Sequence, residues 1–280
     1  MKRMNWFAAS FLIPFSIMVL MFLIVPILSM IYDSFQKSGT GFTFENYQTV
    51  FESDFYLQAF ANSIKISLFS SLLALFAAIF ATYSLTKFPQ SVQDKVMNFA
   101  NLTSNFAGVP LAFAFIILLG NSGLFVLLFE KMGISGMSSF NLYSMAGIIL
   151  IYIYFQLPLA VMLLFPIYHG IQDQWKEAAS ILGASNTQFW LRIGVPVILP
   201  SLVGTFSILF ANAMGAYATV YALTGSSYNM LPVRIGALVS GDVFAQPELA
   251  SALALALGVI LVIAMLFNEW LMRMVRRDLR

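Results

Sequence analysis

The sequence contains no cysteine, a single histidine and few charged residues. Without cysteine the chain cannot build a disulfide framework, a thiolate metal site or a cysteine nucleophile. Charged residues make up 9% of the 280 positions, whereas an average soluble domain has about 25%. Hydrophobic residues make up 60%. This balance excludes an ordinary soluble protein, and it equally excludes a disordered or fibrous one.

The sequence also lacks the common motifs of hydrolytic enzymes. It has no H-E-x-x-H metal-binding helix, no G-x-S-x-G nucleophile turn and no G-x-x-x-x-G-K-[ST] phosphate loop. We therefore expect no catalytic residue, no metal site and no resident cofactor. The lone His169 ends an apolar run, where a structural or interfacial role is expected. No acid lies deep in an apolar run, which disfavours a proton-coupled pump but leaves a sodium-coupled carrier open.

Six apolar runs are long enough to cross a bilayer, which takes about 20 residues of helix. The first run is longer than the apolar part of a secretory signal, so we expect it to stay as an uncleaved helix. The predicted spans are Phe7–Tyr32, Ile64–Thr86, Phe99–Gly120, Tyr143–His169, Val195–Thr224 and Leu249–Met272. The sequence therefore predicts an all-α membrane protein with six transmembrane helices in one domain, residues 1–280.

The basic residues are distributed unevenly between the two sides of this bundle. Four of the 14 fall on one side, namely Lys37, Lys65, Lys131 and Arg234. The other ten fall opposite, namely Lys2, Arg3, Lys87, Lys95, Lys176, Arg192, Arg273, Arg276, Arg277 and Arg280. Because short loops rich in lysine and arginine stay in the cytoplasm, both termini are predicted to be cytoplasmic.

One cytoplasmic loop, residues 172–200 between spans four and five, has mixed composition and should fold locally. It reads QDQWKEAASILGASNTQFWLRIGVPVILP. We expect a first helix that ends at Gly183 in the left-handed conformation, and a second that begins near Asn186 or Thr187. Ala178 and Ala179 leave one side of the first helix thin, which suits close approach by another protein.

The loop follows the pattern E-A-A, three residues, Gly, nine residues, then I-x-L-P, with Val195 in place of the leucine. The matching residues are Glu177, Ala178, Ala179, Gly183, Ile193 and Pro196. In this it resembles the EAA loop of the membrane subunits of ATP-binding cassette importers. With its six spans and cytoplasmic termini, most of the chain also resembles the type I permease fold of these importers.

This resemblance implies a set of partners and a mechanism. The loop would act as a coupling helix in a groove of a separate ATPase, Glu177 and Gly183 belonging to that contact. Two such ATPase subunits would bind ATP, and a second permease, identical or homologous, would complete the path. A periplasmic solute-binding protein would deliver the solute across the bacterial inner membrane, with the lipid bilayer as surroundings and no nucleic acid involved.

The solute and two rival functions stay open from sequence. Relatives of similar layout carry polyamines, ferric iron, thiamine or phosphonates, and the polyamine type is favoured. One rival is an ATP-independent carrier or channel, and another is a membrane scaffold. Neither rival needs the intact pattern from Glu177 to Pro196.

A solute pathway needs polar lining, and the fifth span offers a candidate stripe. Ser201, Thr205, Asn212 and Thr219 fall within about 40° of each other on a helical wheel. Gln156, deep in the fourth span, is a second candidate. Such residues also form hydrogen bonds between membrane helices, so pathway lining and helix packing both remain open.

Overall fold

The computed structural model describes residues 6–37, 41–134, 140–241 and 244–278. Within these residues six helical segments are long and apolar enough to cross a membrane. They are Ile13–Ser34, Asp54–Leu85, Val109–Lys131, Met145–His169, Asn186–Met214 and Pro247–Trp270. The prediction of an all-helical protein with six membrane helices is confirmed.

Three long helices form the centre of the bundle. They are α4 (Asp54–Leu85), α8 (Met145–His169) and α11 (Val195–Met214). Helix α4 turns a face of small, fully buried residues toward its neighbours, and these are Ser67, Ser70, Ser71, Ala74 and Ala78. Small side chains let helix backbones approach closely, which explains why α4 and α8 pack along most of their lengths.

The first and last spans pack against each other at one edge of the bundle. The first consists of α1 (Trp6–Val19), a π-helical turn (Leu20–Ile24) and α2 (Val25–Ser34). Helix α2 packs against α14 (Pro247–Asp278). Within Ile13–Ser34, the part of the first span whose side chains the structure describes, the most apolar window has no residue buried inside the chain, so most of its side chains are exposed beyond the contact with α14.

The remaining elements are short. After the first span, strand β1 (Gln36–Lys37) pairs antiparallel with β2 (Gly41–Phe42), and the short helix α3 (Glu45–Glu52) follows. The others are α5 (Gln90–Ser104), α6 (Val109–Leu119), α7 (Leu124–Lys131), α9 (Asp173–Ile181), α10 (Asn186–Phe189), α12 (Ala218–Thr224) and α13 (Leu231–Ser240).

The predicted bounds of the third span are wrong. Helix α5 ends at Ser104, and the chain then turns through Gly108, whose φ of 79° is positive. The span itself is made of α6 and α7 and covers Val109–Lys131. Residues 99–120 carry no charge, so the absence of charge did not separate the end of α5 from the true span, although Asn101, Thr103, Ser104 and Asn105 form a polar break between them.

The predicted end of the fifth span is also wrong. Helix α11 ends at Met214, and α12 starts only at Ala218. Helix α12 packs on α6. The fifth span is therefore a broken helix, of the kind that membrane proteins tolerate where the freed backbone groups are buried in protein.

The segment between α12 and α13 is anchored to the start of α4. The amide of Asn62 donates to the Asn229 carbonyl at 2.9 Å, and the Asn229 side chain donates to the Phe55 carbonyl at 2.8 Å. The backbone N–H of Leu231 donates to the Ser63 hydroxyl at 2.9 Å. These bonds hold α13 beside the bundle although it is too short to span a membrane.

Candidate functional site

The first helix of the loop, α9, ends as its sequence predicts. Gly183 takes a positive φ of 79°. Its N–H donates to the Ser180 carbonyl, and the N–H of Ala184 donates to the Ala179 carbonyl, both at 2.9 Å. This pair of bonds is a Schellman motif, for which glycine is the favoured residue. The expectation of a left-handed stop at Gly183 is confirmed.

The second helix of the loop, α10, begins at Asn186, as predicted. Its N-cap is the preceding residue, Ser185. The Gln188 N–H donates to the Ser185 hydroxyl at 3.3 Å, and the Ser185 N–H donates to the Gln188 side-chain oxygen at 2.8 Å. The S-x-x-Q spacing of this capping box was the sequence signal that would have located the cap.

The outward surface of the loop combines one acid with exposed aliphatic side chains. Glu177 and Ala178 are exposed. Ala179 is only 7% exposed, so of the two alanines only Ala178 lies at the open surface. Ile181 and Leu182 are each 86% exposed, and sequence reasoning missed them. Two consecutive aliphatic residues just before the helix-ending glycine were the signal that pointed to them.

The root of the loop, Trp190–Pro196, is packed onto two central helices. Trp190 meets the Tyr83 ring of α4 edge-on at 5.1 Å between centroids and lies 6.3 Å from the Tyr168 ring of α8. Gly194 lies directly against Trp190, where a Cβ would come within 2.4 Å of the indole ring. The remaining motif residues in this segment, Ile193 and Pro196, are half-buried. Trp190 thus connects the root of the loop to α4 and α8.

A π-helical turn, Trp190–Gly194, joins α10 to α11. Pro196 is the second residue of α11 and has no N–H to donate to the preceding turn. A π turn also precedes Pro26 in the first span, again followed by valine and proline. Wide turns of this kind interrupt the regular ladder and are frequent at functional sites.

The predicted polar stripe of the fifth span does not form one continuous face. Ser201, Thr205 and Asn212 lie on α11, but Thr219 lies on α12 beyond the break at Met214. Asn212 is exposed and Ser201 is half-buried, whereas Thr205 and Thr219 are 4% and 3% exposed. Asn212 is thus the member of the stripe that is open at the surface of this subunit.

Two hydrogen bonds hold the break in the fifth span. The backbone N–H of Gly108 donates to the Thr219 hydroxyl at 3.0 Å, which joins α12 to the start of α6. The Tyr152 hydroxyl of α8 donates to the Ala216 carbonyl at 2.8 Å. In this conformation Thr219 positions helices.

Gln156 belongs to a buried polar cluster between α4 and α8. Its side chain is fully buried. Ser71 donates to its oxygen at 2.9 Å, and its nitrogen donates to the Ser70 hydroxyl at 3.0 Å. The Ser67 hydroxyl on the same face has no hydrogen-bond partner among the described residues. Of the two roles that the sequence left open for Gln156, these contacts are those of helix packing.

Among the described residues no group of three or more His, Cys, Asp or Glu side chains is placed to hold a metal ion. His169 instead hydrogen-bonds the Gln93 side-chain oxygen of α5 at 3.1 Å. Its ring also meets the Phe165 ring edge-on at 4.5 Å. His169 joins the end of α8 to α5.

Comparison with known proteins places these features in a family. Residues 70–280 match the family of binding-protein-dependent transport system inner membrane components. The chain belongs to this family. It is a permease component of a bacterial ATP-binding cassette importer and a multi-pass protein of the inner membrane. The matched region contains the whole loop 172–200 and every candidate pathway residue.

Curated relatives transport different solutes. The spermidine/putrescine transport system permease protein PotC of Haemophilus influenzae is 24% identical over 254 residues, which cover 89% of this chain and 92% of PotC. The trehalose transport system permease protein SugB of Mycobacterium tuberculosis is 26% identical over 206 residues, which cover 73% of this chain and 69% of SugB.

A solved structure confirms the fold. A bacterial ABC transporter involved in the import of the acidic polysaccharide alginate contains a chain that superposes with a TM-score of 0.77 at 18% identity, covering 96% of both chains. The same type of transporter, in complex with its alginate pentasaccharide-bound periplasmic protein, superposes with a TM-score of 0.76. The permease therefore has the fold of an importer that works with a periplasmic binding protein.

Proposed function

We propose that this permease moves a small organic cation of the polyamine type through a path that it forms with a second permease subunit, identical or homologous. Both termini and the loop 172–200 lie in the cytoplasm. Two separate ATPase subunits bind ATP there, and this chain binds no cofactor of its own. A periplasmic protein delivers the solute on the other side.

The exposed surface of α9 is the observation that carries the coupling proposal. Ile181 and Leu182 are each 86% exposed beside the exposed carboxylate of Glu177. Burying such an aliphatic side chain contributes about 1.5–3 kcal/mol, so a groove that covers both would stabilise a complex substantially. Glu177 then pairs with a basic side chain of the ATPase and orients the contact.

The root of the loop supports the mechanism of coupling. Closure of the two ATPases displaces α9, and the packing of Trp190 on Tyr83 and Tyr168 passes that displacement to α4 and α8. The permease pair then changes from inward-facing to outward-facing and returns after hydrolysis. The shape of the loop that moves is maintained by Ala178, Ala179, Gly183, Ile193 and Pro196.

The polar side chains that line the path are uncharged, so they bind the solute weakly. Asn212 and Ser201 face the path, and Thr205, Thr219 and Gln156 support it from within the helix packing. Because this lining has no charge to hold a solute, the binding protein supplies selectivity. The match to PotC over 89% of the chain supports a polyamine as the solute.

Purification in mild detergent from native membranes tests the coupling proposal. We expect the tagged permease to bring down a phosphate-loop ATPase, identified by mass spectrometry. Glu177→Lys and Leu182→Asp should each lose the ATPase. Glu130→Lys makes the same charge change on an exposed acid of α7 and should retain it. Retention of the ATPase by both loop variants would contradict the coupling role.

Uptake by cells that carry the transporter tests the solute. We expect labelled spermidine or putrescine to accumulate in an ATP-dependent manner, and accumulation to fall with Glu177→Lys but not with Glu130→Lys. Normal polyamine uptake after deletion of the permease, together with lost uptake of thiamine or sulfate, would assign a different solute while leaving the coupling proposal intact.

A further inference from the structure

Two cavities at the loop end of the bundle share an aromatic wall. The larger, about 470 Å³, is bounded mainly by apolar side chains of α4 and α11, including Ile79, Phe80, Ile198 and Leu202, and Asn186 of α10 also lines it. The smaller, about 170 Å³, adjoins it toward the loop. Both are lined by Tyr83, Tyr168 and Trp190.

The smaller cavity carries positive charge from two separate elements. Lys87 comes from the turn after α4, and Lys176 comes from the loop helix α9. The Lys87 ammonium lies 4.1 Å from the centre of the Tyr83 ring, a cation–π contact that places it at the aromatic wall. None of the described side chains that line this cavity is acidic.

Along α4 the apolar cavity comes first, then the aromatic wall and then the lysine. A phospholipid has its acyl chain and its phosphate in the same order. Ile79 precedes Tyr83 by four residues, about 6 Å along the helix axis, and Lys87 follows where the apolar span ends. An acyl chain needs the apolar cavity, and a phosphate at the membrane surface needs the two lysines. A soluble anion would leave the apolar cavity unused, and a neutral lipid would leave the charges unused.

We propose that this combined groove binds one anionic phospholipid, with an acyl chain between α4 and α11 and its phosphate between Lys87 and Lys176. Basic pockets beside membrane helices are recurrent sites for anionic headgroups. The bound lipid joins the loop helix α9 to the end of α4 and stabilises the loop root. This site requires neither the solute nor the ATPase proposed above.

Trp190 provides a built-in reporter, because it lines both cavities. The chain has four tryptophans, so a variant with Trp6→Phe, Trp175→Phe and Trp270→Phe keeps Trp190 alone. This variant is reconstituted in vesicles of defined composition. Its fluorescence is measured in vesicles that contain phosphatidylglycerol brominated on the acyl chains and, separately, in vesicles that contain phosphatidylcholine brominated in the same way. Bromine quenches tryptophan fluorescence on contact.

We expect brominated phosphatidylglycerol to quench Trp190 at a lower mole fraction than brominated phosphatidylcholine. Lys87→Ala and Lys176→Ala should each lower this preference about fivefold, the effect of one basic residue near an anionic surface. Lys95→Ala is the matched control, because Lys95 on α5 lines neither cavity, and it should keep the preference.

Three results would overturn the proposal. Equal quenching by both lipids means a nonselective lipid contact, and no quenching by either means that protein, including a second permease, covers the groove. Recovery of fluorescence on adding inorganic phosphate, but not chloride at equal ionic strength, means a phosphate site that needs no acyl chain. All readouts are made without ATPase or solute, so they do not depend on whether the coupling proposal is correct.

Discussion

Replacing Gly194 by alanine should destabilise the root of the loop through a single steric contact. A Cβ at this position would lie 2.4 Å from Cε3 and 2.8 Å from Cζ3 of Trp190. If Trp190 turns away, its ring loses the contacts with Tyr83 and Tyr168. The new methyl group must therefore push the indole out of the aromatic wall or shift the π turn.

The size of the effect follows from a matched variant, Gly204→Ala. Gly204 lies on α11, and a Cβ there would meet nothing within 4 Å. Gly194 has helical dihedral angles, φ −60° and ψ −57°, so alanine is not strained by the backbone at this position. Both substitutions gain up to about 1 kcal/mol of helix propensity, which cancels between them. What remains is the cost of overpacking, about 1–3 kcal/mol.

The assay is reversible unfolding in mixed micelles of a mild detergent and dodecyl sulfate, followed by far-ultraviolet circular dichroism. We expect Gly194→Ala to have a free energy of unfolding about 1–3 kcal/mol below that of Gly204→Ala. We also expect lower ATP-driven uptake for Gly194→Ala, because the displaced Trp190 no longer joins the loop to α4 and α8. Equal free energies of unfolding would refute the reasoning, since the indole would then move aside without cost.

Three further predictions concern the polar residues. Gln156→Leu should lower the free energy of unfolding by about 0.6–2 kcal/mol in the same assay, more than Ser207→Ala, whose hydroxyl bonds a carbonyl of its own helix. Ser185→Ala should remove the capping box, cost about 0.5–2 kcal/mol and speed hydrogen exchange of the α10 amides; unchanged exchange would contradict that role. Asn212→Cys, in this chain without native cysteine, should react with water-soluble thiol reagents. Thr205→Cys, at a position 4% exposed, should stay protected, and equal reactivity at both positions would argue against Asn212 as pathway lining.

Local signals in the sequence predicted the loop more accurately than they predicted the bundle. The stop at Gly183 depends on a conformation that glycine adopts at no steric cost, so a single residue was enough to locate it. Ala179 shows the limit of such reasoning. It is buried while Ala178 is exposed, and the two adjacent alanines in the sequence did not contain that difference.

The six membrane helices and the family followed from the sequence by itself. A bilayer core demands about 20 apolar residues per helix and leaves no backbone group unpaired, so the apolar runs alone determine the number of spans. The motif from Glu177 to Pro196 is likewise defined by residue types and their spacing, which the sequence shows directly.

Only the tertiary structure decided where helices break and which polar residues they hide. A helical wheel assumes one continuous helix, but α11 ends at Met214, and Thr219 then bonds Gly108 across the bundle. The buried side chain of Gln156 is hydrogen-bonded to Ser70 and Ser71 of α4, a helix far from it in the sequence. The lysine-lined groove exists only because α4, the loop and α11 meet around Trp190. Such positions depend on neighbours far along the chain, and hydrophobic periodicity describes only the helix that carries it.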